Sequence, residues 1–213
     1  MWDILLRGGL MMVPIILGSV LALTIVIERF WSLQRSRVIP GAFLERMDGM
    51  VREGKRSEAL SACRENDSHV ARVLEAGLTH TGRPRAEIVE ALELSGRLEA
   101  SQLSRWVGAL GGIAALEPLM GLLGTVLGLI DAFREVERLK VIGNPSVVAS
   151  GVWVALVTTA AGLIVAIPTF AMYRVFRARV NKLVLEMEAH AFRLVQQLTE
   201  AGGAPRSSGG EAA

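Results

Sequence analysis

Three long stretches of this sequence are almost free of charge, and that constrains the fold more than anything else in it. Gly8–Ile27 holds 20 residues without a charge, Val107–Ile130 holds 24 with Glu117 as the single acid, and Val147–Tyr173 holds 27 with none. About 20 apolar residues carry a helix across the hydrocarbon of a bilayer, so all three qualify, the longer two with length left for tilt. Helices buried in a soluble bundle are generally shorter and keep a polar face. Composition agrees: 51% hydrophobic and 21% charged residues coexist because the two kinds are segregated along the chain. The expectation is an all-α integral membrane protein with three transmembrane helices.

Lysine and arginine fix the orientation. Segment 32–106 carries 12 of them, the stretch after Tyr173 carries 6, the N-terminal stretch one, and segment 131–146 three, offset by Asp131, Glu135 and Glu137. Basic residues gather on the cytoplasmic side, which puts the N-terminus outside, 32–106 inside, 131–146 outside and the C-terminus inside. The order predicted is an outer N-terminus over 1–7, a first membrane helix over 8–31 and a cytoplasmic helical segment over 32–106. A second membrane helix over 107–130, a short outer loop over 131–146 and a third membrane helix over 147–173 follow. A cytoplasmic helix over 174–201 and a disordered tail over 202–213 end the chain. The first span reads as an uncleaved anchor, since positive charge follows it at Arg29, Arg35 and Arg37.

Within 32–106, 12 basic and 11 acidic residues surround sparse apolar ones, so the segment is expected to pack against copies of itself. Ser57 is a candidate N-cap for one helix and Asp67 or Ser68 for the next. Gly82-Arg83-Pro84 is a break. No proline or double glycine follows Arg85 before Gly111, so the second membrane helix is expected to begin deep in the cytoplasm.

Other chemistries find no support. Net charge is only +2, weak grounds for a nucleic-acid partner. The lone Cys63 excludes an internal disulfide and a multi-cysteine metal site. His69, His80 and His190 lack ligand spacing and read as surface residues. No phosphate loop or nucleophile motif is present, so neither an enzyme, a metal nor a cofactor is expected. Glu90, Glu93, Glu186 and Glu188 read as solvated helix faces.

The informative region runs from Ile113 to Met172. At about 100° per residue, Gly121, Gly124, Thr125, Gly128 and Asp131 all fall within about 80° of Glu117, while Leu119, Leu122, Leu123, Val126, Leu127, Leu129 and Ile130 fall elsewhere. The third span repeats the pattern with Gly151, Ala155, Thr158, Thr159, Gly162, Ala166 and Thr169. Small residues of this kind let membrane helices approach closely, as in Gly124-x-x-x-Gly128. The hydroxyls of Thr125, Thr158 and Thr159 within the stripes point instead to a hydrated path. So does Glu117, because a carboxyl at that depth is costly and normally faces a cavity or a partner. Pro118 and Pro168 each remove a backbone donor and are expected to bend their helices.

Glu117-Pro118-Leu119-Met120-Gly121-Leu122-Leu123-Gly124-Thr125-Val126, followed by Gly128, resembles the signature of the ExbB/TolQ/MotA proton-channel family, closest to the ExbB/TolQ branch. The run from Gly151 through Ala155-Leu156-Val157-Thr158-Thr159 to Pro168 resembles its third-helix signature, and the likeness covers nearly the whole chain. The resemblance implies a homopentameric ring in a bacterial inner membrane, with the outer side periplasmic and the second and third helices around a central pore. It also implies an ExbD/TolR-like single-span partner carrying a membrane aspartate, and beyond it a TonB/TolA-like protein. Thr125 and Thr159 match the family's pore-facing threonines. The implied function is to couple the proton motive force to work on the envelope, as TonB-type outer-membrane transport, Tol-Pal-type function, gliding or secretion. A non-conducting scaffold for a partner's membrane helix is the competing reading, because the family often has a third-helix Glu where Val154 stands here. Many members have a small residue in place of Glu117, although some carry Glu-Pro.

Overall fold

The computed structural model describes residues 11–139 and 145–203, and all seven elements among them are helices: α1 (Met12–Ser32), α2 (Arg35–Val38), α3 (Gly41–Arg52), α4 (Arg56–Arg64), α5 (His69–Thr79), α6 (Arg85–Leu139) and α7 (Pro145–Gly203). The expectations for 1–7, for the first residues of span one, for 140–144 of the outer loop and for 204–213 of the tail lie outside the described residues. α1, α6 and α7 are each long and apolar enough to cross a membrane. α6 begins at Arg85, directly after Pro84, whose carbonyl accepts from the amides of Glu87 and Ile88. Proline suits this boundary because it has no amide to leave unsatisfied. Both Pro118 and Pro168 lie inside uninterrupted helices.

The chain divides into two compact units. The described residues of Met1–Trp31 and Arg105–Arg177 form one, those of Ser32–Ser104 and Ala178–Ala213 the other. The first contains the apolar length of all three long helices. Its outward side chains are large and apolar, among them Leu17, Leu21, Leu119, Leu122, Trp153, Ile164 and Ile167, as lipid or a membrane-embedded partner requires.

The second unit corrects the expectation that 32–106 would find its packing only in other copies. Its core is made by Phe43, Met47, Val51, Cys63, Val70, Leu74 and Leu92 together with Val180, Leu183, Met187, Leu194 and Leu198 of α7. With buried Ala191 between Met187 and Leu194, these α7 residues recur every three or four positions, which is one face of a helix. Segment 32–104 therefore lacks not a core but half of one, and the same chain supplies the rest from 75 or more positions onward. α5 comes closest at Gly77, where a Cβ would lie 2.9 Å from Leu92 Cδ2 and 3.2 Å from Leu194 Cδ2.

Two local expectations are also revised. Ser68 does cap α5, its Oγ accepting from the Ala71 amide at 3.3 Å, but α4 starts one residue ahead of Ser57, with Lys55 as its uncapped boundary. The reason lies upstream: α3 ends in a left-handed Gly54 (φ 73°), with Lys55 N–H donating to the Met50 carbonyl at 2.9 Å. That glycine-terminated turn fixes where the next helix begins. The histidines are half-buried and not free surface residues. His69 Nδ1 lies 2.6 Å from Glu99 Oε2, and His80 Nδ1 lies 2.8 Å from the Ala76 carbonyl. Burial first, then Arg193, lowers the His190 imidazole below its ordinary range.

Glu99 is the centre of the unit's polar structure, and the sequence reading passed over it. Only 5% of it is exposed. Arg72 grips both its oxygens, Nε to Oε1 at 2.9 Å and an Nη to Oε2 at 2.7 Å, while the other Nη donates to the Asp67 carbonyl. A buried carboxylate needs such forked donors to offset desolvation. Burial works to raise the Glu99 carboxyl, and the hydrogen bonds from Arg72 and His69 outweigh it, leaving it below its ordinary 4.5.

Candidate functional site

The first unit is organised by close contact between α6 and α7, which run antiparallel: positions ascend on one as they descend on the other. A Cβ on Gly121 would stand 3.1 Å from Thr159 Cα, and one on Gly128 would stand 3.2 Å from Ala155 Cβ. A Cβ on Gly124 would overlap the Thr158 side chain, and one on Gly151 would overlap Ala132. At Gly162 the added carbon would come within 2.6 Å of the Glu117 carbonyl oxygen. Only glycine permits backbones to meet this closely. The glycines and Ala155 of both stripes are thus occupied in joining two helices of one chain, and Ala166 is likewise buried.

The hydroxyls differ from one another. Thr159 donates across the interface to the Gly121 carbonyl at 3.0 Å. Thr158, 1% exposed, donates back along its own helix to Val154 O at 2.9 Å. Half-buried Thr125 does the same to Leu122 O at 2.6 Å. A hydroxyl can accept a hydrogen bond as well as donate one. Val154, where an acid was expected from the resemblance, is half-buried on α7.

Glu117 is 2% exposed and faces α1 as well as α7. Its Oε1 occupies the space where Gly18 would carry a Cβ, and its Oε2 has no hydrogen-bond partner among the described residues. Gly18 was not among the residues singled out from the sequence. One glycine in an apolar run carries no signal until the group opposite it is known. Tyr173 packs its ring on Gly111, 2.9 Å from where a Cβ would be. Among the described residues no cluster of His, Cys, Asp or Glu could hold a metal ion.

The sequence pattern of the MotA/TolQ/ExbB proton channel family matches residues 65–189. An ExbB-like biopolymer transport protein of Synechocystis sp. is 31% identical over 201 residues, covering 91% of this chain and 89% of its own. The biopolymer transport protein exbB1 of Vibrio cholerae is 29% identical over 185 residues, 84% of this chain and 80% of that one. The Tol-Pal system protein TolQ of Pseudomonas aeruginosa is 25% identical over 199 residues, 86% of each. The matched pattern takes in α5, α6 and most of α7, with both glycine stripes and their threonines, and on that footing the chain belongs to the MotA/TolQ/ExbB proton channel family, on its ExbB/TolQ branch.

Proposed function

We propose that this protein is the channel-forming subunit of a motor in the bacterial inner membrane, driven by the proton motive force. The reading has its N-terminus in the periplasm, 32–106 and the C-terminus in the cytoplasm, and five copies in a ring. An ExbD/TolR-like protein with one membrane helix and a membrane aspartate completes it, and a TonB- or TolA-like protein carries the force onward. The observation that carries the reading is the co-location of Thr125, Thr158, Thr159 and Glu117 on the apolar helices of a proton-channel-family chain. Uncharged lipid-spanning helices have no need of a carboxyl, and hydroxyls, which both donate and accept hydrogen bonds, suit proton passage.

Energetics and reach support it too. One proton crossing 100 mV releases about 2.3 kcal/mol, and several crossings suffice to break the contacts that hold one helix against another. Segment 131–146 is too short to reach across an envelope, so work at the outer membrane passes through another protein. Protons arriving at the partner's aspartate neutralise it, loosen its hold on one face of the ring, and let the partner turn or shift.

The scaffold reading draws on one observation: the glycine stripes are already filled by packing within a chain, and Val154 offers no acid. Proteoliposomes holding this protein with its partner decide between them. Partner-dependent proton uptake is expected, abolished when the partner's aspartate becomes asparagine. Absence of uptake, with envelope function surviving that substitution, leaves a scaffold.

A further inference from the structure

Glu117 is the only charged residue type within the three apolar runs, and among the described residues its carboxyl has no partner that suits a charge. Oε2 is buried without a hydrogen-bond partner among the described residues. Oε1 rests against the bare Cα side of Gly18, where a methyl group would overlap it. Behind the residue, Gly162 seats against its carbonyl oxygen. The Thr159 hydroxyl on the facing stripe is turned to the Gly121 carbonyl. An ionised carboxylate enclosed in this way is strongly disfavoured, whereas the acid form carries no net charge to desolvate.

The geometry points to Glu117 as a proton-binding site closed within a single protomer, its carboxyl walled by Gly18 of the first span, and occupied by a proton while the chain is at rest. This rests on the proposed function in taking Glu117 as part of the proton path. It adds that the proton is held inside each copy, with no second copy and no partner helix needed to build the site. It also gives α1 a role in the site, because any side chain larger than glycine at position 18 displaces the carboxyl.

The test uses the full-length protein alone in lipid vesicles at neutral pH. The infrared difference between wild type and Glu117→Gln is expected to show loss of one protonated-carboxylic-acid carbonyl band. Gly18→Ala is expected to shift that band without removing it. In parallel, dicyclohexylcarbodiimide, which adds to carboxyls in their acid form, should modify Glu117 in wild type and spare exposed Asp131, as peptide masses reveal. That second readout needs no variant to fold. A wild-type protein with neither the band nor the adduct at Glu117 overturns the inference, as does a band indifferent to Gly18→Ala. Partner-dependent uptake without the band leaves the motor reading standing and removes this one; the band without uptake does the reverse.

Discussion

The closest approach of α7 to the backbone of α6 gives a prediction whose sign reverses along one protein. At Gly162 an added Cβ would sit 2.6 Å from the Glu117 carbonyl oxygen and 3.2 Å from Gly121 Cα. Both opposing atoms are backbone, so no side chain can swing aside. A carbon approaches a carbonyl oxygen to about 3.3–3.6 Å, so Gly162→Ala forces the helices apart locally by about 0.7–1 Å. Overpacking of that size costs about 1–3 kcal/mol. The same retreat stretches the 3.0 Å bond from Thr159 to Gly121 O beyond bonding range, a further loss of about 0.6 kcal/mol on membrane-protein measurements. Against this, alanine is the better helix former by about 0.5–1 kcal/mol. The net expectation is a destabilisation of about 0.6–3 kcal/mol.

Gly108→Ala is the matched control. It lies in α6, exposed, with nothing within 4 Å of its would-be Cβ, and should stabilise by about 0.5–1 kcal/mol. Equilibrium unfolding in mixed micelles titrated with a denaturing detergent measures both. If Gly162→Ala proves as stable as wild type while Gly108→Ala gains, the helices do not meet at Gly162, and the intrachain account of the glycine stripe fails with it.

The second unit makes its own predictions. Glu99→Gln keeps the shape but removes the charge that Arg72 and His69 hold, and should cost about 1.5–3 kcal/mol at neutral pH, read as a lower denaturant midpoint. Since the folded carboxyl sits below its ordinary 4.5, the stability it contributes is fully present above that pH and fades as pH falls through the folded value. The gap between wild type and variant should therefore close in acid; a gap that widens in acid refutes the assignment. Cys63, the chain's single cysteine, is 1% exposed, and burial, with Glu75 adding, pushes its thiol up to about 12. It should react with iodoacetamide only when the unit opens, so labelling at the rate of a free thiol would contradict the packing. Thr159→Val removes the cross-helix bond and should change stability by only about 0.6 kcal/mol. On the proposed function it should nevertheless abolish partner-dependent proton uptake, and undiminished uptake would remove Thr159 from the path.

How far the sequence could be read followed from what each environment demands. Lipid excludes charge and unpaired backbone, so the three spans stand out from composition, and the start of α6 follows from Gly82, which takes a left-handed φ of 89°, and from Pro84, which suits a helix boundary. Ser68 was legible because a capping hydroxyl acts on an amide three residues away. The second unit was not, because its missing wall comes from α7. The spacing of Val180, Leu183, Met187, Leu194 and Leu198 shows that a face is buried but not what buries it. Glu99 escaped for the same reason, an acid on a helix being indistinguishable from a solvated one until Arg72 is opposite.

The glycine stripe is a subtler case. A residue without a side chain permits close approach by any neighbour, so the pattern cannot tell a helix of the same chain from a partner's. Here it is met largely from within, and the stripe by itself has lost its force as a sign of a guest helix. What packing leaves unexplained is Glu117, since two helices sealed by glycine and threonine would be more stable with an apolar residue in its place. A carboxyl kept there without a partner, with Gly18 cleared to make room, is what separates a membrane bundle that merely holds together from one built to handle a proton.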